Sequence, residues 1–196
     1  MPKTNTLVKI CGLTSEEQAL QVAKLGANAI GIISVEESPR YVSAEIKKKI
    51  FKALENFYPK IDRVTVVQNC PIDLIIKNFL GNPSETIIQL HGDEDIDYCK
   101  EIRKKIPYIG LWKAFRIKTE KDIEKIKPFE DFVDAILFIN LLNSEKFESY
   151  SIFLKGFSLI SETLLNFSMF SILKNWLSDF EELTPNKPKK ERIKPK

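Results

Sequence analysis

One thiol, one imidazole and several cations recur at equivalent places in this chain, each at or just past the end of a short apolar run. Cys11 ends the run Leu7 to Cys11, and Arg40 lies beyond the run Ala29 to Ile33. Gln89 and His91 end the run Thr86 to Leu90. Lys113 and Arg116 follow Tyr108 to Trp112, and Asn140 follows Val133 to Ile139. A thiol and an imidazole can move protons, and ammonium and guanidinium groups can hold an anion. Gathered in one place, the set suits proton transfer on an anionic substrate. Each residue also has a plainer reading. Cys11 can be a small buried hydrophobe, and His91, next to Gly92, a loop residue. Arg40, between Pro39 and Tyr41, can be a surface cation lying over an aromatic ring. Lys113 and Arg116 can be solvated charges.

Position decides between these readings, and position is set by the elements. The apolar runs, with a further one at Arg63 to Val67, are near-continuous and rich in β-branched residues. They predict strands of a parallel sheet covered on both faces. Amphipathic stretches separate them. Thr14 and Glu17 have the spacing of a capping box. Ala19, Leu20, Val22 and Ala23 form an apolar stripe, and Gly26 is a C-terminal stop. Ser43 to Ala53, Asp73 to Leu80, Ile96 to Ile106 and Thr119 to Ile126 repeat the helical spacing. Six strands alternating with five helices imply parallel crossovers. Either an open doubly wound sheet or a (β/α)₈ barrel accommodates them. In both, ligands bind beyond the carboxyl ends of the strands.

Composition narrows the function class. A chain of 196 residues suits one domain or a small barrel, and 43% hydrophobic with 29% charged residues is a globular composition. The net charge of +3 is too small to call for a nucleic-acid partner. Much of it gathers in Lys187, Lys189, Lys190, Arg192, Lys194 and Lys196, among prolines, so residues 184–196 are expected to form a disordered basic tail. Cys11, Cys70 and Cys99 have no metal-ligand spacing, and the single histidine cannot complete a zinc site, so no metal is expected. Reduced thiols, no signal-peptide core and no apolar run of roughly 18 residues predict a cytoplasmic protein with no membrane partner. Oligomeric state is not legible.

Ordered motifs add a family. Val8-Lys9-Ile10-Cys11-Gly12-Leu13-Thr14 closely resembles the opening motif of phosphoribosylanthranilate isomerases. Leu25-Gly26-Ala27-Asn28-Ala29-Ile30-Gly31 and Ser38-Pro39-Arg40-Tyr41-Val42-Ser43 resemble its second strand and the loop after it. Arg63 to Asn69 is similar to the third strand, with Thr65 and Gln68 as departures. Ile88-Gln89-Leu90-His91-Gly92-Asp93-Glu94 and Trp112-Lys113-Ala114 resemble the fourth and fifth. The resemblance implies a TIM (β/α)₈ barrel and a cofactor-free Amadori rearrangement in tryptophan biosynthesis. In that reaction N-(5-phosphoribosyl)anthranilate becomes 1-(2-carboxyphenylamino)-1-deoxyribulose 5-phosphate. An acid opens the ribose ring to a Schiff base. A base then takes the C2 proton, and the enolamine tautomerises to a ketone. By resemblance Cys11 is the base, Arg40 binds the anthranilate carboxylate, and His91 and Lys9 line the substrate site.

The pattern breaks after about residue 140. The family's general acid is an aspartate ending strand six. Here the strand reads Ala135-Ile136-Leu137-Phe138-Ile139-Asn140, and the aspartate position falls on Ile139 or Asn140. An amide is not a proton source. Gly156 is the only glycine beyond that point, where the family carries glycine-rich phosphate loops. Residues 141–183 read as a diverged, mainly helical segment. A diverged barrel, a catalytically inactive relative and a shift of coding frame near codon 138 all fit this break. A barrel incomplete after strand six is expected to expose the edges of strands one and six.

Overall fold

Strand residues that are apolar on successive positions have no polar face to turn to water, so both faces of the sheet must be covered. A computed structural model of the chain describes residues 7–116, 121–139 and 151–155. Its elements are β1 (Lys9–Cys11), α1 (Glu16–Lys24), β2 (Ala29–Ile33), α2 (Ala44–Phe57), β3 (Asp62–Val67), α3 (Ile72–Leu80) and β4 (Ile87–Leu90). There follow α4 (Ile96–Lys105), β5 (Gly110–Arg116), α5 (Lys121–Glu124), a 3₁₀ turn (Lys127–Phe129), β6 (Ala135–Ile139) and β7 (Ser151–Lys155). Each strand lies beside its sequence neighbours, β1 to β7 in order. The pairs from β1 to β6 are all parallel. A doubly wound sheet reverses strand order at a switch point; this sheet does not. Among the described residues the architecture is that of the first six parallel strands of a TIM barrel.

Alternation within the strands builds two cores. Ile30 and Ile32 of β2 pack with Ala19 and Ala23 of α1 and with Ile50, Phe51 and Leu54 of α2. Ala29, on the opposite face of β2, joins Val64, Ile87, Trp112, Ala114, Ala135, Leu137 and Ile139 in the second core. The first core lies between sheet and helices and the second inside the curl of the sheet. Ser43 caps α2 through the Ile46 N–H (3.5 Å), and Asp95 caps α4 through the Tyr98 N–H (2.8 Å).

Three boundaries differ from expectation. The N-cap of α1 is Ser15, whose Oγ accepts from the Gln18 N–H (3.2 Å), while the Gln18 carbonyl oxygen accepts from the Thr14 N–H (3.0 Å). The reciprocal logic of the cap holds, shifted one residue from Thr14 and Glu17. The fifth helix is cut to one turn at Lys121–Glu124, and Pro128 sits in the 3₁₀ turn that follows. The segment Ser151–Lys155, in a stretch read as mainly helical, is a strand antiparallel to β6, pairing Ile139 with Ser151 and Ala135 with Lys155. The β6 edge is therefore paired, contrary to expectation. β1 pairs with β2 alone among the described residues. Asn140, the rest of 141–183 and the basic tail 184–196 lie outside the described residues.

Candidate active site

Lys9 and Cys11 stand two positions apart on β1, so their side chains leave the same face of the strand. Opposite Cys11 in the parallel register is Gly31. A Cβ at residue 31 would lie 2.6 Å from Cys11 Sγ and 3.0 Å from Lys9 Nζ. The missing side chain is thus the space in which thiol and ammonium group sit together. Gly12 follows with φ +84°, a left-handed conformation that suits glycine, and its N–H donates to the Gly31 carbonyl (2.8 Å). A Cβ at residue 12 would lie 2.8 Å from Arg40 Nη1. The guanidinium therefore covers the residue next to the thiol. The β2–α2 loop brings it there: Tyr41 bridges Ile33, and the Val42 N–H donates to the Ile33 carbonyl (3.0 Å).

His91, one residue past β4, is the second polar group of this rim. Gln89 Nε2 lies 3.1 Å from His91 Nδ1. In one amide orientation Gln89 donates to an unprotonated Nδ1 and in the other it accepts from a protonated one, so this contact holds the ring in either tautomer. Burial holds the His91 pKa below its usual value, and the cations Arg116, Lys9 and Lys113 push in the same direction, against Glu94. The ring is therefore neutral at physiological pH, a hydrogen-bond donor without charge.

Lys113 departs from its plain reading. It lies within β5 rather than after it, is 2% exposed, and pairs with Glu94 at 3.1 Å. It is not a solvated charge. Arg116, at the exposed end of the same strand, is. Glu94 had only its place in a motif to single it out. The available signal was a lysine inside an apolar strand, which requires a buried counter-charge. Cys70, in the loop after β3, and Cys99 are free thiols; Cys99 is buried and its pKa is pushed up to about 11 by burial. A second buried ion pair, Lys47–Glu85 (3.4 Å), lines a cavity with Thr65, Ile75 and Asn78, and with Ser34 and Tyr41 of the β2–α2 loop. Among the described residues no group of His, Cys, Asp or Glu is arranged to hold a metal.

Thiol, guanidinium, ammonium and imidazole thus gather toward the carboxyl ends of parallel strands, the end at which proteins of the TIM-barrel class carry their sites. The family profile for N-(5'phosphoribosyl)anthranilate (PRA) isomerase matches residues 8–146, and the chain belongs to that family. It is 39% identical over 131 residues to the N-(5'-phosphoribosyl)anthranilate isomerase of Trichodesmium erythraeum (strain IMS101), covering 66% of this chain and 55% of that one. The crystal structure of phosphoribosyl anthranilate isomerase from Thermotoga maritima superposes with a TM-score of 0.60 at 32% identity, over 68% of this chain and 60% of that one. A structure of the enzyme with reduced 1-(o-carboxyphenylamino)-1-deoxyribulose 5-phosphate matches equally, with a TM-score of 0.60 and 32% identity over 68% and 64%. The chain therefore spans under two thirds of the length of each of these relatives.

Proposed function

We propose that this chain binds N-(5-phosphoribosyl)anthranilate and isomerises it to 1-(2-carboxyphenylamino)-1-deoxyribulose 5-phosphate. One observation carries the reading: Cys11 Sγ and Lys9 Nζ share the space over Gly31, and Arg40 lies over the adjoining Gly12. Arg40 offers the planar fork that suits the anthranilate carboxylate. Cys11 takes the C2 proton of the ring-opened Schiff base, with the Lys9 ammonium beside it. The enolamine then tautomerises to the ketone. Neutral His91 supplies an uncharged donor. No step uses a cofactor. No helix among the described residues is long and apolar enough to cross a membrane.

Ring opening is the weak step. In sequence Asn140 falls near the position where the family carries an aspartate, and an amide cannot protonate the ribose oxygen. Loss of a positioned acid costs about 10²–10⁴ in rate, so turnover is expected to be slow. Anthranilate fluorescence under single-turnover conditions tests this. Slow turnover that Asn140→Asp accelerates and Cys11→Ser abolishes supports the assignment. Folded Cys11→Ser protein that turns over like the parent removes it. Ligand binding with no turnover in any variant would leave only a binding relative.

A further inference from the structure

Two side chains that no step of the reaction uses are the best-buried charges near the rim. The carboxylate of Glu94 and the ammonium of Lys113 are 1% and 3% exposed. Glu94 accepts from the Asn69 N–H at 2.8 Å, from the Gly92 N–H at 3.0 Å and from Lys113 Nζ at 3.1 Å. Lys113 Nζ donates also to the Gly92 carbonyl (2.7 Å) and to the Ala114 carbonyl (3.3 Å). All three ammonium protons have acceptors. Asn69, in a left-handed conformation (φ 48°), accepts from the Asp93 N–H at 2.8 Å. The pair therefore ties together the turn after β3, the turn after β4 and the middle of β5.

A buried ion pair is a poor source of stability, since desolvation offsets most of the attraction. Its effect here is geometric. Both the N–H and the carbonyl of Gly92 are held by it, and Gly92 is bonded to His91. His91 is held from the other side through its own N–H, which donates to the Val67 carbonyl (2.9 Å), and through the Gln89 amide. We propose that Glu94 and Lys113 are positioning residues, a neutral clamp that fixes the β4–α4 turn and, through Gly92, the place of the His91 ring beside it. A lone lysine in this place would add positive charge beside the ring, and a lone glutamate would favour its protonation. Together they hold the turn while adding no net charge to a mouth already carrying Lys9, Arg40 and Arg116. The role in ligand binding rests on the reading of the mouth as an anion site. The clamp itself is tested without any ligand.

His91 is the only histidine in the chain, so ring resonances of ¹³C-histidine-labelled full-length protein report one residue. The charged groups recorded as acting on it are Lys9 from β1, Lys113 and Arg116 from β5, and Glu94 from the turn. Glu94→Gln is expected to lower the titration midpoint, because the one anion that acts on the ring among the described residues is lost. Lys113→Met is expected to raise it, because a cation is lost and Glu94 is left uncompensated. Lys113→Arg, which keeps the cation, is expected to leave it in place. Local unfolding gives a different signature, in which Glu94→Gln and Lys113→Met both move the midpoint up to the free-histidine value and collapse the shift dispersion. That outcome, or unchanged midpoints in both folded variants, overturns the proposal. If Glu94→Gln is insoluble, the contrast between Lys113→Met and Lys113→Arg decides alone: equal midpoints overturn it.

Discussion

His91 shows how one side chain inherits its state from its surroundings. Its pKa lies below the free value through burial first and neighbouring cations second. The unfolded chain therefore takes up this proton more readily than the folded one. Above the free value of about 6.5 the two states do not differ in its protonation. As pH falls below 6.5 toward the folded value, the unfolded state gains the proton first and stability is lost. Urea unfolding followed between neutral pH and pH 5 is expected to show this loss, and His91→Asn is expected to reduce its slope. An equal slope in parent and variant would mean that the ring titrates alike in both states. The same residue illustrates what sequence can and cannot disclose. The thiol, guanidinium and imidazole were legible as candidates because each ends or follows an apolar run. A common rim followed from those strand ends; the close approach of Lys9, Cys11 and Arg40 was not legible, because it depends on the missing side chains of Gly12 and Gly31 rather than on any charged group.

At the scale of elements, strands were read more accurately than their ends. β2 and β3 match their apolar runs to within a residue, because apolar side chains on both faces leave little choice of structure. β5 runs on through Arg116, four residues past the expected end at Trp112. Lys113 looked like a boundary because its partner Glu94 lies 19 residues away in sequence, beyond the reach of any local pattern. β7 was missed for a related reason: an edge strand is defined by the strand it joins. The helices are held by their apolar stripes rather than by propensity. Phe51, fully buried between α2 and the sheet, anchors the longest of the described helices. Phe51→Ala is expected to cost about 3–5 kcal/mol, measured by chemical denaturation with an unchanged dependence on denaturant. A loss below 1 kcal/mol would show that the α2 seam is not closely packed.

For the molecule as a whole, the open edge is β1, which has β2 as its one strand partner among the described residues. Val8 and Ile10 are 44% and 37% exposed and Leu7 is 50% exposed, a row of aliphatic side chains that a closed barrel would cover. The chain is expected to bind an apolar fluorescent dye in its folded state and to associate as concentration rises. Val8→Thr with Ile10→Thr is expected to reduce both, by fluorescence and by sedimentation. A monomer that melts in one sharp transition and binds no dye would contradict this.

The central claim is that the Cys11 thiol and the Arg40 guanidinium face one bound carboxylated amino-sugar. Alkylation of the full chain at pH 8, mapped by mass spectrometry, tests it with little interference from the other thiols. Cys99 is buried with its pKa pushed up to about 11, and burial raises that of Cys70 as well. Saturating reduced 1-(o-carboxyphenylamino)-1-deoxyribulose 5-phosphate is expected to slow Cys11 modification at least tenfold, and Arg40→Met is expected to abolish that protection. Modification of Cys11 at an unchanged rate, with ligand binding demonstrated in the same sample, would contradict the account.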